Sequence, residues 1–152
     1  MQQPFIKYPV FKGLALFVFL TTAAFTGKTG GDMYEVYLNN KLIFKQYMTQ
    51  PLKPENLQLT KANMNDRLII KYSHCGQTGK GRSITLKDAN GNSIRTWKFA
   101  DAKDADAGMV IPVKEILQQS KSVSGFTLTY TSREIPKGQM LTSFRVGQKS
   151  EV

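Results

Sequence analysis

RSITLKDANGNSIRTWKF (residues 82–99) is the stretch whose reading decides the fold class. Ile84 and Leu86 alternate with Ser83, Thr85 and Lys87, the polar turn ANGN follows, and SIRTWKF resumes a strand-like composition. An Asn-Gly pair between two alternating runs is the strongest short-range signal of a β-hairpin, because glycine takes the positive φ that tight turns require. In the second strand Trp97 and Phe99 share a face while Ile94 falls on the other, which predicts a bulge or a two-sided strand.

The same grammar extends in both directions. MYEVYL (33–38) and LIFKQYM (42–48) flank the turn Asn39-Asn40-Lys41 and read as another hairpin. Pro51 and Pro54 then break regular structure, NLQLT (56–60) is a short strand, and residues 63–66 form a polar turn. RLIIKYS (67–73) places Leu68, Ile70 and Tyr72 on one face, and GFTLTYTS (125–132) places Phe126, Leu128 and Tyr130 inward against threonines. QMLTSFRV closes the series. MVIPVKEILQQS (109–120) predicts one short helix, with Pro112 in its first turn and Val113, Ile116 and Leu117 at helical spacing. Seven or eight short strands at spacings near ten residues, with a single helix, predict an all-β antiparallel sandwich of Ig-like or jelly-roll type.

Boundaries follow from composition. Residues 1–24 carry Lys7 and Lys12, no acid, an apolar run beginning at Gly13, and small residues at Thr22-Ala23-Ala24. That is the pattern of a cleaved signal peptide, since spanning a bilayer as a helix takes about 20 apolar residues. Residues 25–32 read as a glycine-rich linker, 33–146 as one β-sandwich domain, and 147–152 as a polar tail. Cleavage after residue 24 removes two of the 21 cations and none of the 11 acids, leaving a net charge of +8. Such a surface favours anionic partners, namely acidic glycan, lipid or an envelope protein, and export sets nucleic acid aside. The single cysteine allows no internal disulfide, although export implies an oxidising compartment. The mature chain offers no transmembrane segment.

GDMYEVYLNNKLIF near the mature start, YSHCGQTGKGRSITLKD in the middle and GFTLTYTS near the end together resemble small exported β-sandwich proteins of Bacteroidota type. The resemblance covers most of the mature chain. It implies export and an all-β fold, and it brings no catalytic residue with it.

Specific chemistry would have to sit in YSHCGQTGKGR (72–82), which holds the only histidine and the only cysteine. A nucleotide loop needs glycine at position 74 and Ser or Thr at 81, where His74 and Gly81 stand. A Cys75–His74 nucleophile pair is disfavoured, because neighbouring side chains on an extended strand point to opposite faces. Ser-His-Asp catalysis would have His74 as its only base, and no nucleophile elbow accompanies it. A blue-copper set needs two histidines, so His74 and Cys75 are left as candidates for a soft copper or zinc site. Asp101, Asp104 and Asp106 form a candidate calcium loop without the EF-hand spacing. Among the aromatics, Tyr37 and Tyr47 fall on the faces opposite the apolar sides of their strands and are the candidate exposed pair for stacking a sugar, with Lys80 and Arg82 adding positive charge. The expectation is a non-enzymatic binding or scaffolding protein of the periplasm or cell surface, for an anionic glycan or envelope component and with no cofactor. The alternative is a thiol- or metal-dependent function (Cu or Zn) centred on His74 and Cys75.

Overall fold

The computed structural model describes residues 31–52, 57–104, 107–120 and 125–147. The expected signal peptide, the linker before residue 31 and the tail after Gly147 lie outside the described residues. Nine strands run in chain order: β1 (Met33–Leu38), β2 (Lys41–Tyr47), β3 (Leu57–Thr60), β4 (Arg67–Ser73), β5 (Ser83–Asp88), β6 (Ser93–Lys98), β7 (Met109–Pro112), β8 (Gly125–Thr131) and β9 (Gln139–Gly147). A helix α1 (Val113–Leu117) follows β7 directly.

Two sheets make the sandwich. One has four strands in the order β2-β1-β4-β7, the other five in the order β3-β9-β8-β5-β6. The antiparallel pairing expected from the hairpins holds throughout except between β3 and β9, which run parallel. The residues facing inward are those the alternation marks: Tyr34 and Val36, Leu68, Ile70 and Tyr72, Ile84 and Leu86, Phe126, Leu128 and Tyr130, all in one buried cluster. Each such side chain contributes on the order of 2 kcal/mol when taken out of water. Among the described residues no helix is long and apolar enough to cross a membrane.

The hairpin at residues 82–99 forms with a four-residue loop between β5 and β6. Gly91 adopts φ 83°, a conformation that costs a residue with a Cβ. Asp88 holds the loop from one side, accepting bonds from the backbone N–H groups of Asn90 and Asn92 at 2.9 and 2.8 Å. The expected irregularity is a bulge: Leu86 lies opposite Arg95 and Lys87 opposite Ser93, so Ile94 is the extra residue. The bulge lets Ile94 pack on the core together with Trp97. In the other hairpin Asn39 takes φ 55°, and Ile43 is the extra residue between Leu42 and Phe44.

The expected short helix is present as α1, but the residues just before it form a strand. Met109 and Ile111 are buried while Val110 and Pro112 are exposed, the period of a strand, and β7 pairs with β4 through Leu68 opposite Ile111. Pro112 therefore ends a strand and sits at the N-cap of α1, with φ −62° and ψ 124°, instead of in the first helical turn. An edge strand tolerates it because proline has no N–H to give to a ladder.

Candidate functional site

His74 sits where the alternation of β4 continues past the strand. Leu68, Ile70 and Tyr72 face inward, and His74, next in that series, is 8% exposed, while Cys75 on the opposite side is exposed. The imidazole has a partner at each nitrogen: Nε2 is 3.0 Å from the Tyr130 hydroxyl and Nδ1 is 3.5 Å from Asp32 Oδ2. Glu134 Oε2 lies 4.0 Å from Nε2. The ring packs against Tyr72, centroid to centroid 4.8 Å. Tyr72 in turn stacks on Tyr130 at 4.3 Å and on Tyr34 at 6.1 Å, so three tyrosines bridge the two sheets beneath the histidine.

Acidic residues from distant parts of the chain fix the loop after His74. Asp32 accepts the Cys75 N–H at 3.0 Å and the Tyr72 hydroxyl at 3.3 Å. Glu134 accepts the Lys80 N–H at 3.1 Å, and Asp101 accepts the Gly81 N–H at 2.7 Å. Residues 74–77 form a turn closed by the Gln77 N–H on the His74 carbonyl, with Gly76 at φ 72°. Gly79 is buried against the cluster: a Cβ there would lie 2.7 Å from the Tyr130 hydroxyl and 3.0 Å from His74 Nε2.

Burial pushes the Tyr72 phenol well above its ordinary range, with the nearby Asp32 carboxylate adding to the shift. Tyr130 is raised by the same burial. For Glu134, burial opposes ionisation, yet the backbone N–H groups of Lys80 and of Glu134 itself, the Ser132 hydroxyl and the His74 ring outweigh it and hold the carboxyl below its usual value. The cluster therefore presents neutral phenols beside a charged carboxylate.

The loop borders a pocket of about 690 Å³ lined by Ser73, His74, Gln77, Thr78, Lys80 and Glu134. Lys80 is exposed and lines the pocket. Arg82 is only 5% exposed and points its guanidinium into the fold, donating to the carbonyls of Ala100 at 2.9 Å and Ala107 at 2.7 Å. It anchors the loop between β6 and β7 and is not a surface cation.

Tyr37 and Tyr47 share the outer face of the four-stranded sheet without forming one platform. Tyr47 lies opposite Met33 and Tyr37 opposite Leu42, four residues apart along β1, or about 13 Å. Tyr47 is 43% exposed with the Lys45 ammonium 5.4 Å from its ring centroid. Tyr37 is half-buried, donates to Glu35 at 2.8 Å and lies 5.5 Å from Lys71 Nζ. Between the two tyrosines run Lys45, Glu35 and Lys71 in one row, with Lys45 and Glu35 paired at 3.0 Å.

His74 and Cys75 point apart, so they do not converge on one ion. Among the described residues no cluster of three or more His, Cys, Asp or Glu side chains could hold a metal. Of the calcium candidates, Asp101 is engaged by Gly81, Asp104 is exposed, and Asp106 lies outside the described residues. Asp32 and Glu134, which organise the site, were missed by sequence reasoning. Nothing in composition links them to His74; only the period of β4, carried one step further, foretells that the histidine turns inward. No family model and no curated protein matches the chain.

Proposed function

We propose that the protein is an exported, non-enzymatic β-sandwich that binds an anionic glycan of the cell envelope. The observation that carries this reading is the outer face of β2, β1 and β4, where exposed Tyr47 and half-buried Tyr37 flank a row of Lys45, Glu35 and Lys71 whose two ammonium groups outnumber its one carboxylate. Flat aromatic faces suit the apolar side of a pyranose, and ammonium groups beside them suit its acidic substituents. The net charge of +8 that remains after residues 1–24 acts in the same direction by raising the local concentration of polyanions. Placement in the periplasm or at the cell surface belongs to the same proposal and draws on the signal-peptide pattern of residues 1–24.

The thiol- or metal-dependent alternative draws support from the exposed Cys75 thiol alone. The imidazole beside it is engaged by Asp32 and Tyr130. Retention on immobilised acidic and neutral polysaccharides, followed across ionic strength, tests the glycan reading. Retention on the acidic polymers that weakens with salt and is reduced by Tyr47→Ala is expected; passage through every acidic polymer at low salt would sink it.

A further inference from the structure

The outer face of the four-stranded sheet runs directly into the pocket below β4. Met33 lies opposite Tyr47 on one side and opposite Ser73 on the other, so the three form a transverse row. The row ends on a pocket wall, because Ser73 lines the cavity that Lys80, Gln77 and Glu134 also line. Two interstrand spacings, about 10 Å, separate Tyr47 from Ser73. That is the reach of a few linked sugar rings.

We infer that pocket and row are consecutive subsites for an acidic oligosaccharide, with a terminal uronic acid seated in the pocket and the following rings passing over Met33 to Tyr47. This rests on the glycan reading above and specifies its substrate class and direction. The pocket supplies one ammonium, Lys80, which makes no ion pair among the described residues, beside one carboxylate, Glu134. The two charges cancel, so Lys80 is the group that meets the uronate carboxylate and Glu134 the group that accepts from a hydroxyl of the same ring.

Glu134 accepts from the Lys80 N–H, from its own N–H and from the Ser132 hydroxyl, so about one of a carboxylate's roughly four acceptor sites is left for a sugar hydroxyl. Gln77 and Thr78 supply donors and acceptors alongside it. His74, buried and held by Asp32 and Tyr130, lines the same pocket, and a side chain already fixed by its partners loses little freedom on binding. At the far end of the row Tyr47 presents an exposed ring with Lys45 beside it, a stacking position for a later acidic ring.

Isothermal titration at physiological ionic strength with galacturonate, trigalacturonate, maltotriose and a sulfated trisaccharide tests the order of subsites. The expected result is that trigalacturonate binds at least about tenfold tighter than the monomer, and maltotriose and the sulfated sugar more weakly than trigalacturonate. Lys80→Met is expected to weaken monomer and trimer alike, by about tenfold, whereas Tyr47→Ala weakens the trimer by a similar factor and leaves the monomer unchanged. Both positions are exposed, and circular dichroism checks that each variant is folded. If acidic sugars bind but Lys80→Met has no effect, or Tyr47→Ala weakens monomer and trimer equally, the subsite assignment is overturned while the broader reading stands. Equal binding of the sulfated sugar overturns the carboxylate assignment. Absence of binding by any acidic sugar or polymer overturns both.

Discussion

Gly79 shows how closely the pocket is built around His74. A methyl group at this position would fall 2.7 Å from the Tyr130 hydroxyl and 3.0 Å from both Arg82 Cδ and His74 Nε2, against groups already fixed by hydrogen bonds. Gly79→Ala is expected to cost about 1–3 kcal/mol, the range for overpacking, in urea denaturation. At Gly91 a Cβ would meet nothing within 4 Å, so Gly91→Ala carries only the penalty of its φ of 83°, about 1 kcal/mol. Equal losses in the two variants would contradict the close packing assigned to Gly79. At this scale the sequence is legible where local period governs: the alternation through Leu68, Ile70 and Tyr72 puts His74 inside and Cys75 outside. It is silent where the partner is remote. Asp32 is 43 residues from Cys75, Glu134 is 54 from Lys80, and the burial of Arg82 depends on carbonyls supplied by a later loop.

At the scale of elements, α1 is tied to the sheet by a side-chain cluster. Trp97 donates its indole N–H to Glu115 at 2.7 Å, and Arg95 pairs with the same carboxylate oxygen at 2.6 Å while lying 5.5 Å from the Trp97 ring. Arg95 and Glu115 are both substantially exposed, so Glu115→Gln is expected to cost less than about 1 kcal/mol. The more telling readout is Trp97 fluorescence, which should shift toward that of a more solvated indole; an unchanged spectrum would place the bond outside the solution ensemble. Hairpins were legible because turn residues and alternation agree over short distances. In the run at residues 109–120 the helix was legible from Pro112 and the Ile116-Leu117 pair, but the strand before it was not, because the period of Met109 and Ile111 spans only four residues. Nor does local pattern give strand order. GFTLTYTS has the clean alternation of an edge strand, yet β8 lies between β9 and β5.

For the whole molecule, pH dependence follows from opposite shifts at the two ends of the scale. Tyr72 and Tyr130 have raised folded-state values, first because of burial, so the stability they contribute is fully present below the ordinary phenol value of 10.0 and is lost as pH rises beyond it. Alkaline unfolding should accompany the appearance of phenolate absorbance, and tyrosinate forming in a chain that remains folded would contradict the buried stack. Glu35 is held low, first by its bond to Lys45 and then by Tyr37, and Asp88 is held low by the Asn92 side chain and backbone. Their folded values are depressed, so this contribution is present above about pH 4 and is lost as pH falls through the folded values. Asp88→Asn should flatten the acid limb of a stability-against-pH curve; an unchanged limb would remove Asp88 from that account.

The two outer faces of the sandwich differ in chemistry, and that difference gives the binding claim a location. Both faces carry cations, Lys87, Lys98 and Arg145 on the five-stranded sheet and Lys45 and Lys71 around Glu35 on the four-stranded sheet, but the first sets them among hydroxyls, with Thr85 opposite both Thr96 and Thr129, whereas the second adds Tyr37 and Tyr47 and leads into the His74 pocket. Chemical-shift mapping of the isotope-labelled protein with trigalacturonate is the most direct measurement. Shifts are expected to cluster at Tyr47, Met33, Ser73, Gln77 and Lys80; shifts confined to the threonine face around Thr85 and Thr129, or none at saturating ligand, would contradict binding at the tyrosine face.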